Sequence, residues 1–317
     1  MIDKLGREIT YLRISLTDKC NLRCRYCMPE EGVCKRSHHE MMNEDEVVTA
    51  VEVAASLGIH KIRLTGGEPL VKRNILSVCR RVAAVEGVRE VCLTSNGILL
   101  PQLGKQLREA GVSRLNLSLD TLDPAKYAYI TRIGKMDAFK AGLDAAFEAG
   151  FEKIKINSVL IGGFNDDEIE AMAKLTLQYP VDMRFIELMP MYDSGDFGQE
   201  AYLPYSKVLE KLPEAVEMPQ DGGVAKLYRL SGAKGNIGLI SPVSAHFCGE
   251  CNRLRLTADG KLKPCLHAAD EYNIKGLDKE QTKAVFEQAI RNKPAWHGDL
   301  DAIHRSQAGR NMNEIGG

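Results

Sequence analysis

The sequence has no long apolar run: nowhere do its hydrophobic residues approach the 18 consecutive positions of a membrane-spanning helix. Its first residues, Met1-Ile2-Asp3-Lys4-Leu5-Gly6-Arg7-Glu8, are charged and lack the apolar segment of a secretory leader. Neither sign of charge is in excess: the formal net charge is −1. Nothing therefore favours nucleic acid or a membrane surface as a global partner. Solenoid repeats and low-complexity tracts are missing. So is a G-x-x-x-x-G-K-[ST] loop, which means that any nucleotide must be gripped by side chains. What remains is a chain of 317 residues, long enough for two domains or for one α/β barrel with an appendage.

Cysteine, by contrast, is plentiful: there are nine, an odd number. With no leader to send them to an oxidising compartment, they read as metal ligands in a reducing cytosol. Six fall into two groups of three. Cys20, Cys24 and Cys27 form C-x3-C-x2-C directly after a predicted strand. Four-iron cubanes are normally held by four thiolates, so three leave one iron open, and an open position marks a site built for chemistry. The competing reading is a zinc knuckle completed by Cys34, His38 or His39. Cys248, Cys251 and Cys265 form C-x2-C-x13-C, with His267 or His246 available for a structural Cys3His zinc site. Arg253 and Arg255 weigh against zinc. Two apart on a strand, they share a face, and guanidinium forks suit a bound phosphate; otherwise they are two solvated arginines. Cys34 is left over, while Cys79 and Cys92 read as small packing residues.

Four predicted helices end alike, at Gly58, Gly87, Gly111 and Gly150, each Gly followed by an apolar residue and then a strand-like run. Asn43 with Glu46, and Asn165 with Glu168, have capping-box spacing, and Asp123-Pro124 supplies a cap and a first-turn proline. Strands are predicted near 10–17, 61–65, 90–95, 114–120, 153–161 and 182–188. Alternation of this kind predicts a parallel sheet. Each strand carries apolar residues on one face. The other face holds Arg13, Ser15, Thr17; Lys61, Arg63, Thr65; Thr94; Asn116, Ser118, Asp120; Lys153, Lys155, Asn157. A parallel sheet covered on both faces should be apolar on both. Helices therefore cover one face only, leaving a polar barrel lumen or one solvated face of an open sheet. Beyond Pro190 the pattern turns loop-rich, with a helix near 205–212, a turn at Asp221-Gly222-Gly223, a hairpin about Asp259-Gly260 and a helix over 281–292. Thr65-Gly66-Gly67-Glu68-Pro69 follows the second strand; its glycines could admit a ligand close to the backbone, and Glu68 could accept from an amine. Otherwise it is an ordinary strand-to-helix turn. The ending, Ile315-Gly316-Gly317, is either a flexible tail or a thin segment threading a narrow cavity. Tyr and Met residues over 127–136 read as packing.

Together these residues resemble the radical S-adenosylmethionine (SAM) superfamily, and within it the GTP 3′,8-cyclases of molybdenum-cofactor biosynthesis. The resemblance runs from Arg13 to Gly317. Its anchors are Thr17 to Pro29, Lys61 to Pro69, Asn116 to Asp120, Arg184 to Glu187, Cys248 to Cys265 and the terminal Gly-Gly. It implies an α/β fold: a partial (βα)6 TIM-like barrel of the radical SAM type over residues 1–189, then a C-terminal α+β extension over 190–317 carrying a second Fe–S cluster and the GTP site. It implies two [4Fe-4S] clusters, one on Cys20, Cys24 and Cys27, the other on Cys248, Cys251 and Cys265. SAM would bind the first, lined by Tyr26, Gly67, Glu68, Ser118 and Met189. GTP would bind the second, held by Arg13, Lys61, Arg63, Thr94, Lys155, Arg184, Arg253, Leu254 and Arg255. Arg13, Gly316 and Gly317 would serve catalysis. The implied reaction is a lyase-type radical cyclisation, in which a 5′-deoxyadenosyl radical takes hydrogen from ribose C3′ of GTP and C3′ then bonds to guanine C8. The implied setting is cytoplasmic, as monomer or homodimer. A flavodoxin- or ferredoxin-type donor and a downstream cyclic pyranopterin monophosphate synthase are the implied partners. Two other readings are a radical SAM peptide or protein maturase and a non-catalytic zinc-binding scaffold.

Overall fold

Strands and helices alternate along the first 190 residues in the predicted order. The computed structural model describes residues 1–33, 37, 39–191, 197–220, 222–300 and 304–316. Six strands, β1 (Tyr11–Ser15), β2 (Lys61–Thr65), β3 (Glu90–Ser95), β4 (Arg114–Ser118), β5 (Ile154–Leu160) and β6 (Val181–Glu187), lie side by side in sequence order. All five pairings among them are parallel. Between them run α1 (Glu44–Ser56), α2 (Ile75–Ala83), α3 (Leu100–Glu109), α4 (Pro124–Thr131), α5 (Met136–Glu148), α6 (Ile169–Ala173) and α7 (Leu175–Gln178).

Helix ends follow local chemistry. Asn43 and Glu46 close the expected capping box on α1, and Asp123 caps α4 ahead of Pro124. Gly58, Gly87, Gly111 and Gly150 all sit at positive φ, between 77° and 93°, the left-handed stop that only glycine takes without penalty. The second expected capping box does not form. Asn165 instead spends its amide on Asp120 O (2.7 Å) and Val159 O (2.8 Å). Glu168 turns to Thr121 Oγ1 and the Leu122 amide. Tying neighbouring strand ends together outcompetes the local cap.

The remaining strands extend this sheet on both flanks. They are β7 (Val216–Met218), β8 (Lys226–Arg229), β9 (Ile237–Ile240), β10 (Arg253–Leu256), β11 (Lys261–Lys263) and β12 (Tyr272–Asn273), accompanied by α8 (Ser206–Lys211), α9 (Lys279–Arg291) and α10 (Met312–Ile315). β9 joins β6 in parallel and β10 joins β1 in parallel, giving one twelve-stranded sheet. The predicted hairpin is β10–β11, with Gly260 at φ 79°. Asp221 of the expected loop turn lies outside the described residues.

Strand parity holds. Leu12, Ile14, Ile62, Leu64, Val91, Leu93, Leu115, Leu117, Ile154 and Ile156 belong to one core with the inward faces of α1, α2, α3, α5 and α9. Cys79 packs within that core; Cys92 is fully buried too. Of the segment read as packing, Tyr127 and Met136 are buried but Tyr129 is 49% exposed, its ring lying under Arg25 at 4.2 Å. Among the described residues no helix is long and apolar enough to cross a membrane. Gly142 of α5 lies so close to the carbonyl of Gly97, in the loop after β3, that a Cβ would drive into it. Gly142→Ala is therefore expected to lower stability by about 1–3 kcal/mol, read as a lower urea midpoint at unchanged slope.

Candidate active site

The topology decides where the two cysteine groups lie. Cys20, Cys24 and Cys27 follow the C-terminal end of β1. Cys248 and Cys251 precede the N-terminal end of β10, which runs parallel to β1. Cys265 leaves β11, antiparallel to β10, and so returns to that same N-terminal end. The triads thus face each other across the length of the strands, about 17 Å for five residues. All six cysteines line one cavity of about 980 Å³.

Its wall is the polar strand face, and register stacks it in layers. Lys61, Tyr11 and Arg253 lie abreast on β2, β1 and β10; one step up stand Arg63, Arg13 and Arg255. Asn116 pairs with Lys155, and Asn157 with Arg184, on β4, β5 and β6. Nine Lys or Arg side chains line the cavity against five Asp or Glu, so its wall suits a polyanion. Burial, with Arg13 and Arg253 alongside, drives the Arg255 guanidinium well below its usual range. Burial likewise lowers Arg13 to about 10, with Arg63 and Arg253 adding repulsion. An anion bound among these groups would relieve both costs. Meanwhile the chain supplies its own partners. Lys61 pairs with Glu90 at 2.7 Å, Lys155 with Asp182 at 3.1 Å, and Arg63 donates to Tyr11 Oη and to Thr94 Oγ1 (3.2 Å).

At the first end, the cysteine loop is wrapped by the end of α4. Arg23 N and Arg25 N donate to Thr131 O and Ile130 O. Arg132, the only non-glycine at positive φ (63°) among the described residues, reaches Arg23 O at 2.8 Å and Met28 O at 3.2 Å. That strained conformation is held by the loop it encircles. Burial pushes Cys20 up to about 11 and Cys27 to about 12, and raises Cys24, where Cys27 and Asp120 add to the effect. Bare thiolates are disfavoured here; a cationic metal centre would reverse that. Tyr26 donates to Asp120 Oδ2 at 2.7 Å, and burial raises Asp120 to about 6. Gly66 and Gly67 permit a close approach, but to the chain itself. Gly67 N donates to Thr17 O (2.7 Å) and Glu68 N to Lys19 O (2.8 Å). Glu68 is raised to about 7 by burial, and its carboxylate accepts from Leu70 N, Ser95 Oγ and Asn96 N. Of about four acceptor positions, one is left for a ligand amine.

At the second end the electrostatics invert. Burial works to raise Cys251, but Arg253 and Lys293 outweigh it and bring the thiol down to about 6. Lys293 is anchored on Arg253 O and Pro264 O, both at 2.8 Å. His267 is lowered to about 3 by burial and its Nδ1 is engaged by Ser306 Oγ at 3.0 Å. The ring of His246 packs against Trp296.

Among the described residues no three His, Cys, Asp or Glu side chains are gathered to hold a metal ion. A cubane is larger than one ion, and its ligand sulfurs stand further apart. Three thiols at each cavity end match the cysteine ligation of a four-iron cluster with one iron left open. Cys34 and His38 lie outside the described residues, and His39 is exposed.

The cavity brings together Arg13, Tyr26, Lys61, Arg63, Gly67, Glu68, Thr94, Ser118, Lys155, Arg184, Met189, Arg253 and Arg255. Leu254 is fully buried and paired with Leu12, so its side chain faces the core, as strand parity demands between two arginines, and only its backbone could meet a nucleotide. Ser15 and Thr17 do not reach the wall, and Lys153 lies in a shallow cleft outside the barrel. Ser15 is covered by the tail, since Gly316 packs against Ser15 and Thr65. Gly316 O accepts from Arg255 Nη1 at 2.6 Å, so the ending is no free tail. Gly317 lies outside the described residues. Tyr11 was legible from the same parity as Arg13 but was missed. Lys293 follows a helix and carried no sequence signal.

Two family models match, the radical SAM superfamily over residues 14–176 and the molybdenum cofactor synthesis C-terminal region over 181–298. Similar chains include the GTP 3′,8-cyclases of Alkaliphilus oremlandii (43% identical, all of both chains covered) and Moorella thermoacetica (44%, all of both). That of Peptoclostridium acidaminophilum is 45% identical over all of this chain and 98% of its own. Among solved structures, Streptococcus suis SuiB superposes with a TM-score of 0.66 at 13% identity, covering 92% of this chain and 67% of that one, a likeness of fold.

The opposed electrostatics have a measurable consequence. In cluster-free protein at pH 7.5, Cys251, thiolate above about pH 6, should be alkylated by iodoacetamide well before Cys20 or Cys27. Peptide mass mapping reads the order, and Arg253→Ala should slow Cys251 by raising its thiol.

Proposed function

This chain belongs to the GTP 3′,8-cyclase family of the radical SAM superfamily, and on that premise we propose how its tunnel divides the work. The reaction is conversion of GTP to 3′,8-cyclo-7,8-dihydro-GTP, the opening step toward the molybdenum cofactor. The observation that carries the assignment is the pair of three-thiol rims at opposite ends of one cation-lined cavity. Held by Cys20, Cys24 and Cys27 and by Cys248, Cys251 and Cys265, the clusters would supply an open iron at each end, and the first would supply the electron for reductive cleavage of SAM.

Everything else falls to the chain. Tyr26, Gly67, Glu68, Ser118 and Met189 hold SAM beside Cys20, Cys24 and Cys27, with the last acceptor position of Glu68 taking the methionine ammonium. Arg253, Lys61 and Arg63 hold the triphosphate with Arg13 and Arg255, because layered guanidinium forks match phosphate oxygens. Lys155, Arg184 and Thr94 complete the nucleotide site. Lys61 and Lys155 must loosen from Glu90 and Asp182 as phosphate arrives, an exchange of one anion for another that avoids leaving a buried charge unpaired. Gly316, with Gly317 beyond it, places backbone and no side chain beside Arg255, which orients that guanidinium and leaves room for the ribose. Fixing the two small molecules end to end also keeps the radical away from water and from the wall.

The remaining assignments are part of the same proposal. The 1–189 portion is the SAM-cleaving core, and 190–317 carries the second cluster. A flavodoxin- or ferredoxin-type protein donates electrons, and a cyclic pyranopterin monophosphate synthase takes the product. The chain works in the cytoplasm as monomer or homodimer, without nucleic acid or membrane.

Anaerobic protein given GTP, SAM and a low-potential reductant should form 5′-deoxyadenosine and a cyclised nucleotide in step; 5′-deoxyadenosine with GTP untouched would sink the assignment. Arg63→Ala should raise the GTP dissociation constant about 10–100-fold, the value of one or two charge-assisted hydrogen bonds, measured by calorimetry. Removing Gly316 and Gly317 should stop cyclisation while iron content stays unchanged.

A further inference from the structure

Tyr11 stands in the tunnel wall among the cations and has a hydroxyl to spare. It opens β1, and the strand register sets it abreast of Lys61 on β2 and Arg253 on β10. Period-two alternation turns it to the same side as Arg13, and it lines the cavity together with Lys61, Arg63 and Arg253. Its ring touches two of these cations. Lys61 Nζ lies 5.3 Å from the ring centroid and the Arg63 guanidinium carbon 5.7 Å, both close enough for a cation–π contact. Lys61 is also paired with Glu90 at 2.7 Å. The ring therefore gives that ammonium a second partner when it turns from Glu90 toward a phosphate.

The hydroxyl is only half used. Tyr11 Oη accepts from Arg63 Nε, while Arg63 Nη1 donates to Thr94 Oγ1 at 3.2 Å. The guanidinium is thus held from β1 on one side and β3 on the other, with further N–H groups still to give. A phenol has a proton to donate as well as lone pairs that accept. Arg63 takes the accepting side, and among the described residues no group takes the proton. Lys61, Arg63 and Arg253 are all donors without an acceptor atom, so the partner that this O–H fits is an anionic oxygen brought in by a ligand. Burial alone would make the phenol harder to ionise, but Arg63 and Arg13 outweigh it and draw its acidity below the ordinary phenol range. That strengthens the O–H as a donor, and hydrogen bonds to an ionised acceptor are the strong ones.

We propose that Tyr11 is a further GTP-binding residue: its O–H donates to a phosphate oxygen of the triphosphate, while its ring and lone pair hold Lys61 and Arg63 in place to meet the same chain of phosphates. No bond of the nucleotide is made or broken at Tyr11. The contact reads the anionic chain and not the base, so a nucleoside without phosphate does not feel it. This rests on the reading of the tunnel as a GTP site.

The test is calorimetry of the anaerobic holoenzyme with GTP and, separately, with guanosine. It compares the wild type with Tyr11→Phe, Arg63→Ala and the double variant. Tyr11→Phe removes the hydroxyl and keeps the ring with its two cation contacts. Its GTP dissociation constant should rise about 10-fold, the value of one charge-assisted hydrogen bond, and its guanosine constant by less than about twofold. With Arg63 already Ala, the same change should still cost about threefold or more, which separates a direct contact from an effect exerted only through Arg63. Unchanged or tighter GTP binding in Tyr11→Phe overturns the proposal, and so does an equal loss with guanosine. No further loss in the Arg63→Ala background overturns it as well. Iron content below wild type in Tyr11→Phe does the same, because the residue would then be structural. A wild-type holoenzyme that binds GTP no better than guanosine would instead defeat the reading of the tunnel as a triphosphate site.

Discussion

Buried like charge is the constraint on which this molecule turns. Arg13, Arg63, Arg253 and Arg255 project from three adjacent parallel strands into one lumen, where each is shielded from bulk solvent and feels the others. Such an arrangement survives only if the chain supplies partial compensation and a ligand supplies the rest. The compensation is visible in Tyr11 on Arg63, Glu90 on Lys61, Asp182 on Lys155 and the Gly316 carbonyl on Arg255. A hydrophobic lining would make a more stable barrel, but it would have no hold on a triphosphate.

The same constraint explains why β10 must join β1. Two of the four guanidiniums come from the C-terminal third of the sequence, and only a parallel pairing puts them in register with Arg13. Glu187 secures the other flank, accepting from the amides of Tyr205, Val243 and Ser244 at the end of β6. Alignment of the guanidiniums and continuity of the sheet are thus one feature.

The two ends of the tunnel pose opposite electrostatic problems to the same kind of ligand. Around Cys24 and Cys27 burial and neighbouring acidic groups oppose ionised sulfur, whereas Arg253 and Lys293 draw Cys251 into its thiolate form. The surroundings at the first end resist negative charge, so thiolates there depend on a bound cationic centre. The segment ending in Gly316 reaches Arg255 on one side and Asp18 on the other, which ties the end of the chain into the tunnel wall.

Much of this was written in the sequence. Cysteine spacing gave the two triads, glycine stops and the Asn43 cap gave the helix ends, and period-two alternation put Arg13, Lys61, Arg63, Thr94 and Lys155 on one polar face, which the structure makes the lumen wall. Each is a local property, set by bond geometry or by neighbours in the chain. The misses share the opposite character. Leu254 turns its side chain to the core between two lumen arginines, and Asn165 forsook its cap for distant carbonyls. Lys293 came to sit on the Arg253 and Pro264 carbonyls with no pattern to announce it, and Asn313 met Asp18 from the far end of the chain. Sequence by itself settled which residues could do the chemistry and which way most of them point. Only the tertiary structure decided which of them meet, because contacts across hundreds of positions are fixed by strand pairing and packing and leave no periodic trace in the chain.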